Sequence, residues 1–188
     1  LNEMIDAGKI NAYGGSNWTV ERIDQALEYA DKKGLVPFAA SSPNFSLAEQ
    51  IDSPWGPDCK TISGPAHEQD RQWYKSKNLP VFAWSSLARG FFSGRLSRTN
   101  LQQVQQEFEE HTIRCYVCEP NLQRLDRVEQ TAKEKGLSVP QIALAWVLNQ
   151  DFPVYALVGS WKPEEIEANV AVADLKLDSQ TTAWLNLK

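Results

Sequence analysis

Cysteine, histidine and positive charge are all scarce in this chain, and each shortage narrows its chemistry. Three cysteines make no even set for a disulfide framework, so a reducing, cytoplasmic setting is expected. Cys115 and Cys118 have the Cys-x-x-Cys spacing of metal and redox sites, but only Cys59 and His111 are at hand to complete a zinc set. No helix start is read directly after Cys118, as thioredoxin-like chemistry needs, so the pair is expected to be structural. Lys and Arg number 19 against 24 Asp and Glu, a net charge of −5. That argues against duplex nucleic acid as a partner, because neutralising phosphates takes clustered cations. No apolar run approaches the ~20 residues that cross a bilayer, and no secretory leader is visible, so no membrane partner is expected. The chain opens at Leu1, and its single methionine is Met4, which reads as a piece of something longer.

What is present is an ordinary globular composition, 42% hydrophobic and 23% charged over 188 residues, enough for one domain with a real core. The pattern is organised around Gly14-Gly15-Ser16-Asn17, at the end of the apolar run Ile10 to Tyr13. It reads as a strand stopping at a ligand: glycines let a backbone approach, and short polar side chains offer donors and acceptors. Taken alone, such a tetrapeptide is more often a turn. Thr19 can cap a helix whose apolar set is Ile23, Ala26, Leu27 and Ala30, and Gly34 closes it before a second strand, Leu35 to Ala40.

The unit repeats. Leu1 to Lys9 reads as the last turns of a helix, stopped at Gly8. After a long irregular connection from Ala48 to Gly64, a polar helix from about Ala66 to Lys77 leads to a third strand, Val81 to Trp84. A shaped loop follows to Arg98, then a short helix over Leu101 to Phe108, with Gln102 to Glu110 a solvated face. Residues 121–135 form a helix with Leu122, Leu125, Val128 and Ala132 on one face. Ser138 and Gln141 have capping-box spacing before an all-apolar, deeply buried helix from Ile142 to Leu148. The fourth strand, Val154 to Val158, stops at Gly159-Ser160, and Pro163-Glu164-Glu165 opens a helix with Ile166, Val170 and Ala173 inward. Residues 178–186 add one more short helix.

Four strands separated by helices imply parallel pairing with right-handed crossovers, an α/β architecture. Ligands in such folds sit at the carboxyl ends of the strands. Ser16-Asn17, Ser41-Ser42, Ser85-Ser86 and Gly159-Ser160 are therefore expected around one site.

Several segments, in this order and spacing, resemble the aldo-keto reductase family. They are Gly8-Lys9-Ile10 through Gly14-Gly15-Ser16-Asn17-Trp18, Ala83-Trp84-Ser85-Ser86-Leu87-Ala88-Arg89-Gly90-Phe91-Phe92-Ser93-Gly94, Gln141 to Trp146, and Gly159-Ser160-Trp161-Lys162-Pro163-Glu164 to Asn169. Family members are (β/α)8 barrels of about 250 residues or more. The resemblance spans the chain but only half the family: residues 1–188 match barrel strands five to eight, a half barrel of about four βα units. It implies reduction of a small aldehyde or ketone by NAD(P)H, with this chain as the cofactor-binding half. The family's catalytic Asp, Tyr, Lys and His lie on strands one to four and have no counterpart here. His67 and His111 fall in irregular or polar stretches, so no catalytic residue is assigned.

By the same resemblance, Ser16 and Asn17 bond the nicotinamide carboxamide, and Ser42 stands where the family usually has a longer Gln. Trp84 stacks on the nicotinamide ring, although a lone tryptophan in a chain with seven is more often core. Ser85, Leu87, Gly90 and Arg95 match the loop that wraps the pyrophosphate. Gly159, Ser160, Trp161 and Lys162 lie at a helix start that favours phosphate, and Asn169 matches an adenine contact. Glu165 stands where Arg or Gln is usual and would repel a 2′-phosphate, with Lys162 to offset it. NADP is the expectation and NAD the alternative; Lys162 and Glu165 also fit a plain solvated helix start.

Four parallel strands alone leave two open edges and an inner face, of Val, Phe and Ala side chains, without its opposite wall. Three readings follow: part of a complete reductase, a chain that closes a barrel with itself or with another chain, or a nucleotide-binding module without hydride chemistry.

Overall fold

The computed structural model describes residues Leu1 to Lys188. Four parallel strands lie in sequence order: β1 Gly14–Ser16, β2 Ala40–Ser42, β3 Val81–Ala83 and β4 Val154–Ala156. Nine α-helices accompany them: α1 Asn2–Asp6, α2 Val20–Lys33, α3 Glu68–Lys77, α4 Leu101–Val104, α5 Glu110–Tyr116, α6 Glu119–Lys135, α7 Val139–Leu148, α8 Pro163–Val170 and α9 Ser179–Leu185. The parallel α/β reading holds.

Local chemistry sets the helix ends. The Thr19 hydroxyl accepts from Arg22 N at 3.3 Å, and Gly34 closes α2 at φ +63°, a left-handed turn that costs glycine nothing. Ser138 and Gln141 form the expected capping box at the start of α7, with Gln141 Oε1 accepting from Ser138 N at 3.0 Å. On α6, Leu122, Leu125, Val128 and Ala132 are buried together, and Ile142 to Val147 of α7 are buried all round, both as the periodicity predicts. α5 has no counterpart in the sequence reading.

The strands fall later or shorter than expected. Ile10 to Tyr13 is not strand; the two glycines themselves are β1, paired with Ala40 and Ser41. Their role also differs from the expected approach to a ligand. A Cβ at Gly14 would sit 2.3 Å from the Ala40 carbonyl oxygen, and one at Gly15 would press on the Phe38 and Trp18 rings. They are small so that β1 can close on β2 and its cover.

The sheet has one covered and one open face. Gly15, Ser41, Val81 and Ala83 turn toward the helices and are buried. Ser16, Ser42, Phe82 and Tyr155 form a row across the other face, where the Phe82 and Tyr155 rings stack at 5.1 Å. The expected Val, Phe and Ala lining is thus corrected: Val81 and Ala83 belong to the helix side, because strand side chains alternate. Ile166, Val170 and Ala173, expected inward, are exposed instead. They line an apolar groove beside β4 with Leu144, Leu148 and Val158, at the edge where no further βα unit stands.

Candidate cofactor site

Ser16, Asn17, Ser42 and Trp84 converge at the carboxyl ends of β1, β2 and β3. The Ser16 hydroxyl donates to the Ser42 carbonyl at 3.0 Å, and the Ser42 hydroxyl donates to the Phe82 carbonyl at 2.7 Å. A hydroxyl that has given up its proton keeps only acceptor capacity. Asn17 holds φ +58°, a left-handed conformation asparagine tolerates, and its Oδ1 accepts from Lys60 N at 3.1 Å and Trp84 Nε1 at 3.2 Å. Its Nδ2 donates to no group of this chain. The cluster thus presents one amide donor beside hydroxyl acceptors, the complement of a carboxamide.

A buried polar network stands behind it. Asn44, fully buried, donates to the Trp84 carbonyl and the Tyr116 hydroxyl, both at 3.2 Å. Its Oδ1 accepts from Thr61 at 2.8 Å and Ser63 at 3.1 Å. Burial drives the Tyr116 phenol well above its ordinary pKa, so it serves as a neutral hydroxyl. Asn44, Thr61 and Tyr116 were not foreseen as site supports. The only local signal was a polar asparagine just past the polar stop of a strand, between Pro43 and Phe45.

The loop after β3 holds four residues at positive φ: Ser85 at +52°, Ala88 at +50°, Arg89 at +52° and Gly90 at +89°. Leu87 is half-buried against the core at the head of this turn. Arg95 pairs with Glu107 at 3.2 Å and lies over the Phe108 ring at 4.9 Å. Arg89 is nearer the site: it pairs with Glu109, lies 5.0 Å from the Trp55 ring, and leaves its buried Nε without a partner.

The remaining expected residues form a second cluster at the start of α8. Ser86 Oγ bonds the Leu157 carbonyl at 3.2 Å and so joins the two loops. Asn169 donates to Ser160 Oγ at 3.2 Å. Glu165 Oε2 accepts from Trp161 N at 2.8 Å, taking a backbone donor that an anion would otherwise use. Gly159 has open space around it, Trp161 is 97% exposed, and Lys162, the residue before α8, forms no ion pair.

His67 bonds Asp70 at 2.7 Å and His111 bonds Glu110 at 2.7 Å, both away from the strand ends. The Cys-x-x-Cys reading needs one correction: a helix start does follow, since Cys118 is the residue before α6. Cys115 is nevertheless buried in α5, and that burial raises its thiol pKa, the reverse of an activated thiolate. No helix is long and apolar enough to cross a membrane.

The model of the Aldo/keto reductase family matches residues 1–186. The chain is 24% identical to Aldo-keto reductase YhdN of Bacillus subtilis, over 99% of this chain and 51% of that protein. It is 23% identical to L-glyceraldehyde 3-phosphate reductase of Escherichia coli, over 99% and 51%. It is 22% identical to a probable voltage-gated potassium channel subunit beta of Oryza sativa subsp. japonica, over 93% and 50%. The chain spans about half the length of the curated relatives it matches. With that match along nearly every residue, and a parallel four-stranded α/β sheet, the chain belongs to the aldo/keto reductase family.

Proposed function

We propose that this chain is the cofactor-binding half of an NAD(P)H-dependent oxidoreductase that reduces a small aldehyde or ketone to an alcohol. The observation that carries this reading is the Ser16, Asn17, Ser42 and Trp84 cluster, whose free donor and acceptors complement a carboxamide beside an aromatic ring. The bound dinucleotide supplies the hydride. The residues of this chain bind and orient it: Asn17 and Ser16 fix the carboxamide, Trp84 the ring, and the loop from Ser85 through Gly90 the pyrophosphate. NADP is the expected cofactor on family grounds and NAD the alternative that Glu165 favours.

No residue here is assigned to proton transfer, and that group is placed on βα units outside this half. The open row Ser16, Ser42, Phe82, Tyr155 and the apolar groove beside β4 support closure by four further βα units. These come from a longer chain, a second chain or a second copy. The cytoplasm is the compartment proposed.

Titration of the 188-residue chain with NADPH and NADH, followed by quenching of tryptophan emission, tests the reading. Saturable quenching supports it, and the tighter nucleotide identifies the cofactor. No quenching by either rejects it for this chain.

A second reading has one observation in its favour, the likeness to a protein named as a channel subunit rather than an enzyme. On that reading the same site binds nucleotide without turnover. It predicts quenching by the nucleotide but no carbonyl reduction once the barrel is completed.

A further inference from the structure

The connection between β2 and α3 runs back over the carboxyl end of the sheet, and its middle bears a tryptophan. Both feet of this strap are pinned. At one, Ile51 N donates to the Cys115 carbonyl at 2.8 Å, and Arg114 holds Asp52 and, at 3.0 Å, the Ser53 carbonyl. At the other, Lys60 N donates to Asn17 Oδ1 and the Lys60 carbonyl accepts from Asn44 N at 2.8 Å. Between the feet, Gly56 at φ +104° turns the chain, and Trp55 lies 61% exposed to solvent. Its indole centroid stands 5.3 Å from that of Trp84, tilted by 43°, and the Arg89 guanidinium covers it at 5.0 Å. The bond from Trp84 Nε1 to Asn17 restrains how the Trp84 ring is presented.

We propose that Ile51–Lys60 is a strap in which Trp55 gates the Trp84 ring, so that a nicotinamide reaches Trp84 only by displacing Trp55. This rests on the reading that Trp84 receives the nicotinamide. Trp55 makes the only aromatic contact Trp84 has, and a nicotinamide ring stacking on that side of Trp84 competes with it for the same surface. Pinned feet with a solvent-exposed crest allow that exchange without disturbing the core, and the strap's hold on Asn17 and Asn44 keeps the site's polar groups in place meanwhile. Trp55 thereby sets how strongly the site prefers a ligand that stacks over one that carries only phosphates.

Calorimetric titration of the chain and of Trp55→Ala, each with NADPH and with adenosine 2′,5′-bisphosphate, tests the gate. The second nucleotide has the adenosine and phosphates of NADPH but no nicotinamide. The expected result is NADPH binding about fivefold tighter to the variant, the loss of one competing stack, with the bisphosphate unchanged. Trp55→Phe, which retains a smaller ring, should fall between. NADPH binding that is unchanged or weaker in Trp55→Ala, while the bisphosphate still binds, overturns the gate and leaves the cofactor reading standing. Binding of neither nucleotide to either protein, with NADH also failing to bind, overturns the cofactor reading and the gate with it. Circular dichroism of both variants checks that the exposed substitution leaves the fold intact.

Discussion

Trp84 Nε1 donates to Asn17 Oδ1 at 3.2 Å, tying the end of β3 to the end of β1 across β2. The same oxygen accepts from Lys60 N, so one asparagine joins two strands and the strap. Its backbone sits at φ +58°, where alanine is strained and glycine is not. Asn17→Gly should therefore cost about 1 kcal/mol, the loss of the two accepted bonds at a partly wetted site. Asn17→Ala should cost about 1 kcal/mol more, the strain of the left-handed backbone. Both should weaken NADPH binding. Urea denaturation midpoints separate the two costs; equal losses for the two variants would refute the strain argument.

Asn44 is a sharper case because it has no water to fall back on. Its removal leaves the Trp84 carbonyl, the Tyr116 hydroxyl and the Thr61 and Ser63 hydroxyls short of a partner, all in or beside the core. Asn44→Ala should destabilise the chain by about 3 kcal/mol, since unsatisfied buried groups lose their hydration without compensation. Asn44→Leu should be no better, because the four partners remain polar. Denaturant unfolding of the two variants decides it, and a loss below about 1 kcal/mol in either would mean that the network rearranges.

The contrast between these two asparagines bears on what the chain discloses before folding. Asn17 follows two glycines and a serine, a local grouping that announces a special backbone, and its place at the sheet end was legible. Asn44 gains its meaning from Thr61, Ser63, Trp84 and Tyr116, which are up to 72 residues away, and no local period records such pairings. The helices with apolar stripes, α2 and α6, and the all-apolar α7 were readable for the same reason that Asn17 was, since each carries its signal in local sequence. Short parallel strands were displaced because Gly14, Gly15 and Ser41 pair through their backbones, which side-chain hydropathy does not register. The outward turn of Ile166 and Val170 went unseen because apolar periodicity marks a face without saying what covers it. Trp55 lies in a run of prolines and glycines with no periodicity at all, so its stacking on Trp84 is purely tertiary.

Alkaline pH should weaken this fold through its buried tyrosines. The Tyr74 hydroxyl donates to Ser41 Oγ at 2.9 Å beneath β2, and burial pushes its pKa up to about 12 from the usual 10. Tyr116 is raised in the same direction. A group whose pKa is higher folded than unfolded keeps its full contribution below the unfolded value, here about pH 10, and loses it as pH rises toward the folded one. The loss attached to Tyr74 is on the order of 2 kcal/mol. Tyr74→Phe should be somewhat less stable at pH 8, lacking the bond to Ser41, yet should lose less on going to pH 11.5. Thermal unfolding across that range provides the check; parallel pH profiles for the two proteins would rule out Tyr74 as a source.

Glu165 offers a test of the phosphate end that does not depend on Trp84. Its carboxylate accepts from Trp161 N at 2.8 Å beside the start of α8, with Lys162 unpaired next to it. A 2′-phosphate brought to this helix start meets a negative charge already seated on the backbone donor. Glu165→Gln keeps a hydrogen-bond acceptor of the same shape and removes the charge, so NADPH should tighten relative to NADH by about threefold to fivefold, the scale of one exposed charge interaction. Lys162→Ala should move the ratio the other way. Because both nucleotides share the nicotinamide end, changes there cancel in the ratio of their dissociation constants. A ratio that ignores both substitutions would place the adenosine phosphate away from α8, and would require that the basic contact come from another part of the chain.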